Sequence, residues 1–188
     1  YAITKATQES LVLNYGRTYG VSCASLRFFN VYGPRQALSN PYTGVAAIFL
    51  SRIKNGRPPV VYEDGEQTRD FVSVLDIARG CRLAIEKERA AGVALNLGTG
   101  HAVSIRHVAE TLARVEGSEV APEITQAFRK GDVRHCFPDV SLARRVLGYR
   151  PRVAFEQGMK DLVAWGRGAE AKDYFARADR ELRRRGLL

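Results

Sequence analysis

Short β-rich runs alternate with helical segments along this chain, and this alternation limits the fold more than any other sequence feature. Residues 6–19 place aromatic and aliphatic side chains at helical spacing and end near Gly20, while Val21–Phe29 is a β-rich run too short for a helix. The pattern continues with predicted helices over 45–54, 76–88 and 141–147, predicted strands over 60–62, 67–72 and 94–97, and two C-terminal helical segments. Such alternation predicts an α/β protein. A parallel sheet of ordinary size needs more strand–helix units than these, so we expect an upstream part.

Capping and turn residues mark where these elements begin and end. Residues 30–34 are predicted to form a turn after the first strand, Asp76 is predicted to cap one helix and Ser104 the next. Gly98-Thr-Gly100 invites comparison with a dinucleotide-binding loop, but position 103 is Val where the third glycine of that fingerprint would stand. We therefore predict a simple turn at 98–100.

The composition is that of a soluble globular protein, with 45% hydrophobic and 26% charged residues in 188. No run approaches 18 apolar residues and the first residues lack a signal-peptide pattern, so we expect a cytoplasmic protein without a membrane span. Three scattered cysteines and three scattered histidines predict neither a disulfide framework nor a metal site. The net charge of +9 favours an anionic partner, which could be nucleic acid, acidic lipid or a phosphorylated small molecule.

The basic run at 183–185 bears on the first of these partners. It lies on a predicted terminal helix that also carries Asp179 and Glu181, a mixture typical of a solvated helix face. We therefore do not expect nucleic-acid binding.

Tyr1 and Lys5 are the residues most suited to acid–base chemistry. Four residues apart on a helix, they lie on one face within reach of each other. A phenol with a pKa of about 10 is a poor base at neutral pH, but a neighbouring ammonium favours the phenolate and lowers that pKa. A Tyr and a Lys at this spacing also occur together by chance on many helices, so the neighbouring sequence has to decide.

That neighbouring sequence resembles the extended short-chain dehydrogenases, the NAD-dependent epimerase/dehydratase family. The resemblance is closest to the UDP-galactose 4-epimerase group and its dTDP-sugar relatives. It covers residues 1–150, and the matching segments stand in the family's order: YAITKA at 1–6, LRFFNVYGPR at 26–35, VYEDGEQTRDFV at 61–72 with Asp76, NLGTG at 96–100, RKGDVR at 129–134 and LGY at 147–149. Their common order is far more specific than any one segment.

The resemblance implies roles on the cofactor side of the site. Tyr1 matches the general base that removes a sugar hydroxyl proton while hydride passes to NAD. Lys5 matches the residue that holds the nicotinamide ribose and tunes Tyr1, and Phe29 matches a position that packs beside the nicotinamide. Without the resemblance, Phe29 would be read only as a strand end.

On the substrate side, the resemblance implies contacts with a nucleotide sugar. Asn30 matches a position that hydrogen-bonds the substrate near its diphosphate, and the backbone around Ala46 matches one that touches the sugar or diphosphate. Tyr62 matches an aromatic position that stacks on the nucleotide base, although an aromatic residue at the end of a strand is as often part of the core.

Basic and acidic side chains complete the implied substrate site. Arg69 and Arg129 match positions that clamp the diphosphate, a task suited to the planar donor fork of a guanidinium group. Asp132 matches an acceptor for ribose hydroxyls, and Arg134 is a second possible phosphate ligand or else an ordinary exposed arginine. Glu63 departs from the family pattern, because many relatives have glycine there, and it leaves the choice between UDP and dTDP open.

The resemblance also implies a fold and a domain division. We expect the C-terminal part of a Rossmann-type parallel sheet plus a smaller α/β substrate-binding domain. Residues 1–33 would supply the last helix and strand of the NAD-binding domain, residues 34–188 mainly the substrate-binding domain, and residues 74–98 would return to the Rossmann sheet. The glycine-rich phosphate loop would precede residue 1, and the helix carrying Tyr1 would form a homodimer.

The activity implied is 4-epimerisation of a UDP- or dTDP-hexose through transient oxidation at C4 by NAD. A nucleotide-sugar 4,6-dehydratase would share the first step and stays open as an alternative. A noncatalytic nucleotide-sugar or NAD-binding protein of the same fold is a third hypothesis, and intact Tyr1, Lys5, Asn30 and Arg69 count against it.

Overall fold

The computed structural model describes residues 1–40 and 42–188, and within them the predicted α/β class is confirmed. A long N-terminal helix is followed by short strands interleaved with six further helices. The elements in chain order are α1 Ala2–Tyr19, β1 Ser25–Phe28, β2 Asn30–Tyr32, α2 Val45–Lys54, β3 Val60–Val61, β4 Thr68–Arg69, β5 Phe71–Ser73, α3 Val74–Glu86, a 3-10 turn Glu88–Ala90, β6 Ala94–Leu97, β7 Val103–Ser104, α4 Ile105–Glu116, β8 Glu123–Ile124, β9 His135–Cys136, α5 Ser141–Leu147, α6 Phe155–Arg167 and α7 Phe175–Arg184.

Most strands pair in parallel with a strand much later in the chain. β1 pairs with β6 from Ser25↔Ala94 to Phe28↔Leu97, β2 pairs with β5, and β3 pairs with β8. β4 lies between β7, which is antiparallel to it, and β9, which is parallel. Parallel pairing requires a crossover, and helices supply the crossovers here. The positions of β1, β2 and β5 are therefore fixed by pairing with residues distant in the chain.

Two apolar cores hold these elements. The larger core packs α2, α4 and α6 around Tyr32 and Phe71, with Leu50, Leu112 and Leu162 completely buried. The smaller core lies beside the β1–β6 pair and includes residues of α3 and α5. The division of the chain into domains at 33 and 74–98 stays a prediction.

Several predicted boundaries are confirmed to the residue. α2 spans 45–54, α5 spans 141–147 and β6 spans 94–97, as the sequence pattern indicates. Ser104 caps α4, since its hydroxyl oxygen accepts a hydrogen bond from the His107 backbone N–H at 3.2 Å.

Two local predictions are wrong. The predicted turn at 30–34 begins instead with strand β2, because Asn30–Tyr32 pairs with Phe71–Ser73. The predicted helix cap at Asp76 is also displaced: Ser73 caps α3, and Asp76 lies buried in the first turn of that helix. Its carboxylate accepts hydrogen bonds from the backbone N–H groups of residues 152 and 153 and pairs with Arg79. Asp76 therefore ties α3 to the segment before α6.

Three further properties of the described residues concern membrane spans, cysteine thiols and metal sites. No helix among them is both long and apolar enough to cross a lipid bilayer. Cys23, Cys81 and Cys136 are free thiols. Over residues 1–40 and 42–188, no group of three or more histidine, cysteine or acidic side chains is arranged to hold a metal ion.

Candidate active and nucleotide-binding site

Tyr1 and Lys5 lie together at the N-terminal end of α1. The Lys5 ammonium nitrogen is 5.5 Å from the centre of the Tyr1 ring, and the Lys5 N–H donates to the Tyr1 carbonyl at 3.0 Å. The Tyr1 side chain is 94% exposed in this chain. Lys5 also donates to the Gln8 side chain at 3.2 Å. The structure therefore places the Lys5 ammonium group beside the Tyr1 ring, as the helical spacing predicts.

A groove of about 720 Å³ runs from this pair between α1 and β1. Glu9 and Arg27 line it and form an ion pair, in which the Arg27 Nε donates to Glu9 at 2.7 Å. The hydrogen bond from Arg27 lowers the pKa of Glu9 from its usual value, with help from the Ser25 hydroxyl. The groove thus presents the Tyr1–Lys5 pair at one end and a neutralised ion pair along its wall.

A second pocket of about 310 Å³ brings three predicted residues together. Phe29, Asn30 and Ala46 all line it. They meet because β2 starts directly after Phe29 and α2 starts at Val45, and both elements border the larger core. The pocket is polar at Asn30 and apolar at Ala46, a combination suited to a small ligand with hydroxyl groups.

Gln36 also lines this pocket, and sequence reasoning did not find it. Its amide nitrogen donates to the Thr43 hydroxyl at 3.3 Å, while its buried amide oxygen has no partner among the described residues. A buried acceptor without a partner is uncommon and is free to receive a ligand hydroxyl. The sequence carries no spacing signal for it, since Gln36 stands in an irregular stretch.

Asp70 is a second residue that sequence reasoning missed. It is fully buried between β4 and β5, and its carboxylate accepts hydrogen bonds from the backbone N–H groups of Thr99, Gly100 and His101. The Thr99 hydroxyl donates to it as well, at 2.9 Å. The Asp70 carbonyl in turn accepts the Asn30 N–H at 2.9 Å. Asp70 therefore fixes both the 98–101 turn and the start of β2.

Arg69 and Asp132, predicted to bind diphosphate and ribose, lie side by side. One guanidinium nitrogen of Arg69 donates to the Asp132 carboxylate at 2.7 Å and to the Val133 carbonyl at 2.6 Å. The other terminal nitrogen donates to the carbonyls of Thr68 and Arg134. These hydrogen bonds to the 132–134 segment orient the Arg69 side chain, of which 13% stays exposed to solvent.

Arg134, the second possible phosphate ligand, is held by two carboxylates. It donates to Glu63 at 2.7 Å and to Asp64 at 2.7 and 2.9 Å. These hydrogen bonds lower the pKa of Asp64 from 3.8 to about 2. Glu63 has φ of 54°, the left-handed conformation that glycine adopts most readily, so its backbone takes the shape that the family's glycine permits. The Glu63 departure thus adds a partner for Arg134.

Tyr62, predicted to stack on the nucleotide base, is half-buried. Its hydroxyl donates to Asp179 of α7 at 2.9 Å, and its ring lies 6.3 Å from that of Phe175 at a tilt of 37°. Burial, followed by the hydrogen bond to Asp179, raises the pKa of Tyr62 above its usual value. Arg129 is exposed. The contacts of Tyr62 and Arg129 with a nucleotide stay a prediction.

A comparison with models of protein families identifies the family of this chain. The family model described as GDP-mannose 4,6 dehydratase matches residues 1–162, which is most of the chain. The chain belongs to the NAD-dependent epimerase/dehydratase family. The family resemblance inferred from the sequence is thereby confirmed.

Members of this epimerase/dehydratase family are similar to the chain in sequence and in structure. A dTDP-L-rhamnose 4-epimerase of Burkholderia thailandensis is 36% identical over 88% of this chain and 45% of the relative. The crystal structure of UDP-glucose 4-epimerase from Thermotoga maritima with UDP-glucose superposes with a TM-score of 0.81 at 37% identity, over 89% of this chain and 53% of the other. The structure of UDP-glucose 4-epimerase from Thermus thermophilus in complex with NAD superposes with a TM-score of 0.80 at 35% identity, over 90% of this chain and 54% of the other.

The coverages give the fraction of a family member's length that this chain represents. The chain spans about half the length of the curated relatives that it matches. Together with the parallel β1–β6 pair, the similarity to the Rossmann-fold epimerases confirms the predicted fold class.

Proposed function

We propose that the protein to which this chain belongs is a nucleotide-sugar 4-epimerase that acts on a UDP- or dTDP-hexose by transient oxidation at C4. The observation that carries the proposal is the Tyr1–Lys5 pair, accessible and 5.5 Å apart at the head of a groove along β1. The similarity to 4-epimerases of both UDP- and dTDP-sugars supports the same conclusion.

Each member of the pair has a defined task in this proposal. The Tyr1 hydroxyl oxygen, as phenolate, accepts the proton from the sugar O4 and later returns it. The Lys5 ammonium, which lies beside the Tyr1 ring, supplies a positive charge next to the group that exchanges this proton. Bound NAD would take the hydride from C4 and give it back to the opposite face of the turned 4-keto sugar.

The residues present fit one end of NAD. Tyr1 and Lys5 offer a hydroxyl and an ammonium group as hydrogen-bond donors for a ribose, and both line the groove. Phe29 lines the adjoining pocket next to Asn30 and offers an apolar ring face for a nicotinamide. This donor set holds the nicotinamide ribose end of the dinucleotide.

The substrate end is built for an anion. Arg69 is pre-oriented by hydrogen bonds to the 132–134 segment, and Arg129 is exposed beside Tyr62. Guanidinium groups bind diphosphate oxygens through paired donors, and the net charge of +9 is consistent with an anionic ligand. Asn30 and Ala46 would contact the hexose in their pocket. We expect no nucleic-acid or membrane partner.

A 4,6-dehydratase is the second candidate, because the family model that matches residues 1–162 is described by that activity. The two activities share the oxidation at C4 and differ in the product. A noncatalytic binding protein is the third, and it predicts ligand binding without turnover.

We also propose a cytoplasmic homodimer formed through α1. Only Gly16 of this helix is buried, and Leu11, Tyr15 and Tyr19 are exposed on it. Large apolar side chains left exposed together are typical of a surface that other protein covers, which for α1 includes the part of the relatives that this chain does not span as well as a second copy.

The test uses the full-length protein, incubated with UDP-glucose, UDP-galactose, dTDP-glucose and a dTDP-6-deoxyhexose and followed by NMR. Interconversion of C4 epimers without net NAD reduction is the expected result. A stable 4-keto-6-deoxy product would establish the dehydratase instead. Tyr1→Phe should keep substrate affinity and lose activity by about 10²- to 10⁴-fold, the usual contribution of a general base. Tyr15→Phe, an exposed tyrosine on the same helix, is the matched control and should retain activity.

A further inference from the structure

The C-terminal segment 172–188 lies outside the part of the chain that the family model matches, which ends at residue 162. It contains α7, a strongly charged helix in which no residue is buried. A helix without a buried face is not held in place by a hydrophobic core. Its position must therefore come from individual polar and aromatic contacts, and those contacts are concentrated near the candidate substrate-binding residues.

The start of the segment is fastened to α2 and the loop after it. The buried Asp173 carboxylate pairs with Arg52 at 3.3 Å and with Arg57 at 2.9 Å. The Arg52 guanidinium also lies 4.6 Å from the centre of the Phe175 ring, a cation–π distance. α2 is the helix that carries Ala46, so the segment is rooted on an element of the sugar pocket.

The middle of the segment contacts Tyr62. The Asp179 carboxylate accepts a hydrogen bond from the Tyr62 hydroxyl at 2.9 Å, and the Phe175 ring neighbours the Tyr62 ring. Arg183, one turn further on, pairs with Asp179 at 2.8 Å and keeps its carboxylate oriented. A tyrosine ring held by its hydroxyl and by a neighbouring ring has lost most of its rotational freedom before any ligand arrives.

Two further contacts reach the loops on either side. The Leu187 carbonyl accepts the Lys130 N–H at 2.8 Å, within the 129–132 segment that carries two predicted ligand residues. The Tyr42 hydroxyl donates to Glu181 at 2.6 Å, in the loop before α2. One segment thus contacts three separate parts of the candidate substrate site: Tyr62, the 129–132 segment and the loop before α2.

We propose that residues 172–188 form a strap across the nucleotide end of the site, and that Asp179 is a positioning residue that holds the Tyr62 ring for recognition of the base. This proposal rests on the proposed function, because it takes Tyr62 as the base-contacting residue of a nucleotide-sugar enzyme. It adds a determinant of nucleotide affinity in a helix that the family match does not include.

The test compares Asp179→Ala and Asp179→Asn with the wild-type full-length enzyme, using UDP and dTDP as calorimetric probes and the preferred nucleotide sugar for kinetics. The alanine variant loses the acceptor for the Tyr62 hydroxyl, so KM and the Kd for the nucleotide should rise by about threefold to tenfold, the usual effect of one hydrogen bond. The asparagine variant keeps an acceptor oxygen and should stay near wild type. kcat should be nearly unchanged in both, because Tyr62 contacts no reacting atom.

The matched control is Glu86→Ala, which removes the carboxylate of another i,i+4 pair, with Arg82 at the end of α3. It should leave Kd, KM and kcat unaltered. If Asp179→Ala binds nucleotide as tightly as wild type, or loses kcat and thermal stability without a change in Kd, the positioning role is wrong. If wild type binds neither UDP nor dTDP and turns over no nucleotide sugar, the proposed function has failed instead, so the two failures are distinguishable.

Discussion

Removing the Asp70 carboxylate should destabilise this protein more than the loss of most other polar side chains. Asp70 is fully buried and accepts three backbone N–H groups and one hydroxyl, all from residues 99–101. In Asp70→Ala the Thr99 and Gly100 donors lose this acceptor, and the His101 N–H keeps only the Thr99 hydroxyl, 3.1 Å away. A buried donor without a partner costs about 1–3 kcal/mol, and the losses are not additive because the turn relaxes. We expect a loss of about 3–5 kcal/mol, in line with the breaking of a buried charged network.

Asp70→Asn sharpens the test because the contacts of the two carboxylate oxygens differ. One oxygen accepts from Thr99, Gly100 and His101, while the other accepts only from the Thr99 N–H at 2.9 Å. An asparagine can place its carbonyl at the first position, at the cost of an amide facing the Thr99 N–H and of the charge. Charge-assisted hydrogen bonds are about twice as strong as neutral ones, so we expect an intermediate loss of about 1–3 kcal/mol.

Urea unfolding of the full-length protein, with the free energy extrapolated to water, measures both losses. Asp139→Ala is the control, since Asp139 is an exposed aspartate whose carboxylate accepts a hydrogen bond from the Ser141 N–H at the start of α5. It should lose about 0.5–1 kcal/mol. An unfolding free energy of Asp70→Ala within about 1 kcal/mol of wild type would refute the reasoning, because a buried network of four donors cannot be removed at the cost of a surface cap.

Three further predictions follow from the geometry of the substrate-binding side and the larger core. Arg69→Ala should weaken nucleotide-sugar binding by about tenfold to a hundredfold in calorimetry, as expected for charge-assisted hydrogen bonds; unchanged affinity would remove Arg69 from the diphosphate site. Arg134 holds the pKa of Asp64 at about 2, so the ion pair is fully formed above pH 3.8 and is lost as pH falls toward 2. Arg134→Ala should raise the Asp64 NMR titration midpoint toward 3.8, with the Glu66 N–H still lowering it in part, and an unshifted midpoint would contradict this. Gly158→Ala places a Cβ 2.2 Å from the Tyr32 hydroxyl and should lower stability by about 1–3 kcal/mol in urea unfolding; a gain, as helix propensity alone would give, would contradict it.

The helices were largely predictable because their signals are local. α2 begins after Gly44 and ends at Lys54 just before Gly56, and α5 ends at Gly148 in the left-handed conformation typical of a helix C-terminus. Apolar periodicity and a glycine suffice to place such a helix. Neither signal depends on the rest of the molecule.

The short strands were less predictable because each exists only through a distant partner. The sequence predicts a turn where the three residues of β2 lie. They form a strand because they pair with β5, about forty residues later in the chain. β7 and β9, with two residues each, both pair with β4. A two- or three-residue strand has no periodicity to detect, so its signal lies in the tertiary structure alone.

For residues 98–100 the sequence predicts the turn but not the group that the turn binds. Its glycines suit a loop whose backbone N–H groups converge on an anion, and Gly100 does adopt a positive φ of 81°. The anion is the protein's own Asp70, which stands far away in sequence. No spacing rule joins the two residues, so only the fold could assign the carboxylate to the turn.

The arginines of the candidate nucleotide site explain how a chain of net charge +9 can select one anion. Arg69 is paired with Asp132, and Arg134 with Glu63 and Asp64, so neither guanidinium group is a loose cation. The carboxylates partly neutralise the positive charge and weaken attraction for anions in general. The four terminal N–H groups of Arg69 already have acceptors in the protein, so a diphosphate must replace some of these acceptors when it binds. Pairing therefore lowers the affinity for anions in general and favours a ligand whose oxygens match the fixed donor directions, as the proposed nucleotide-sugar binding requires.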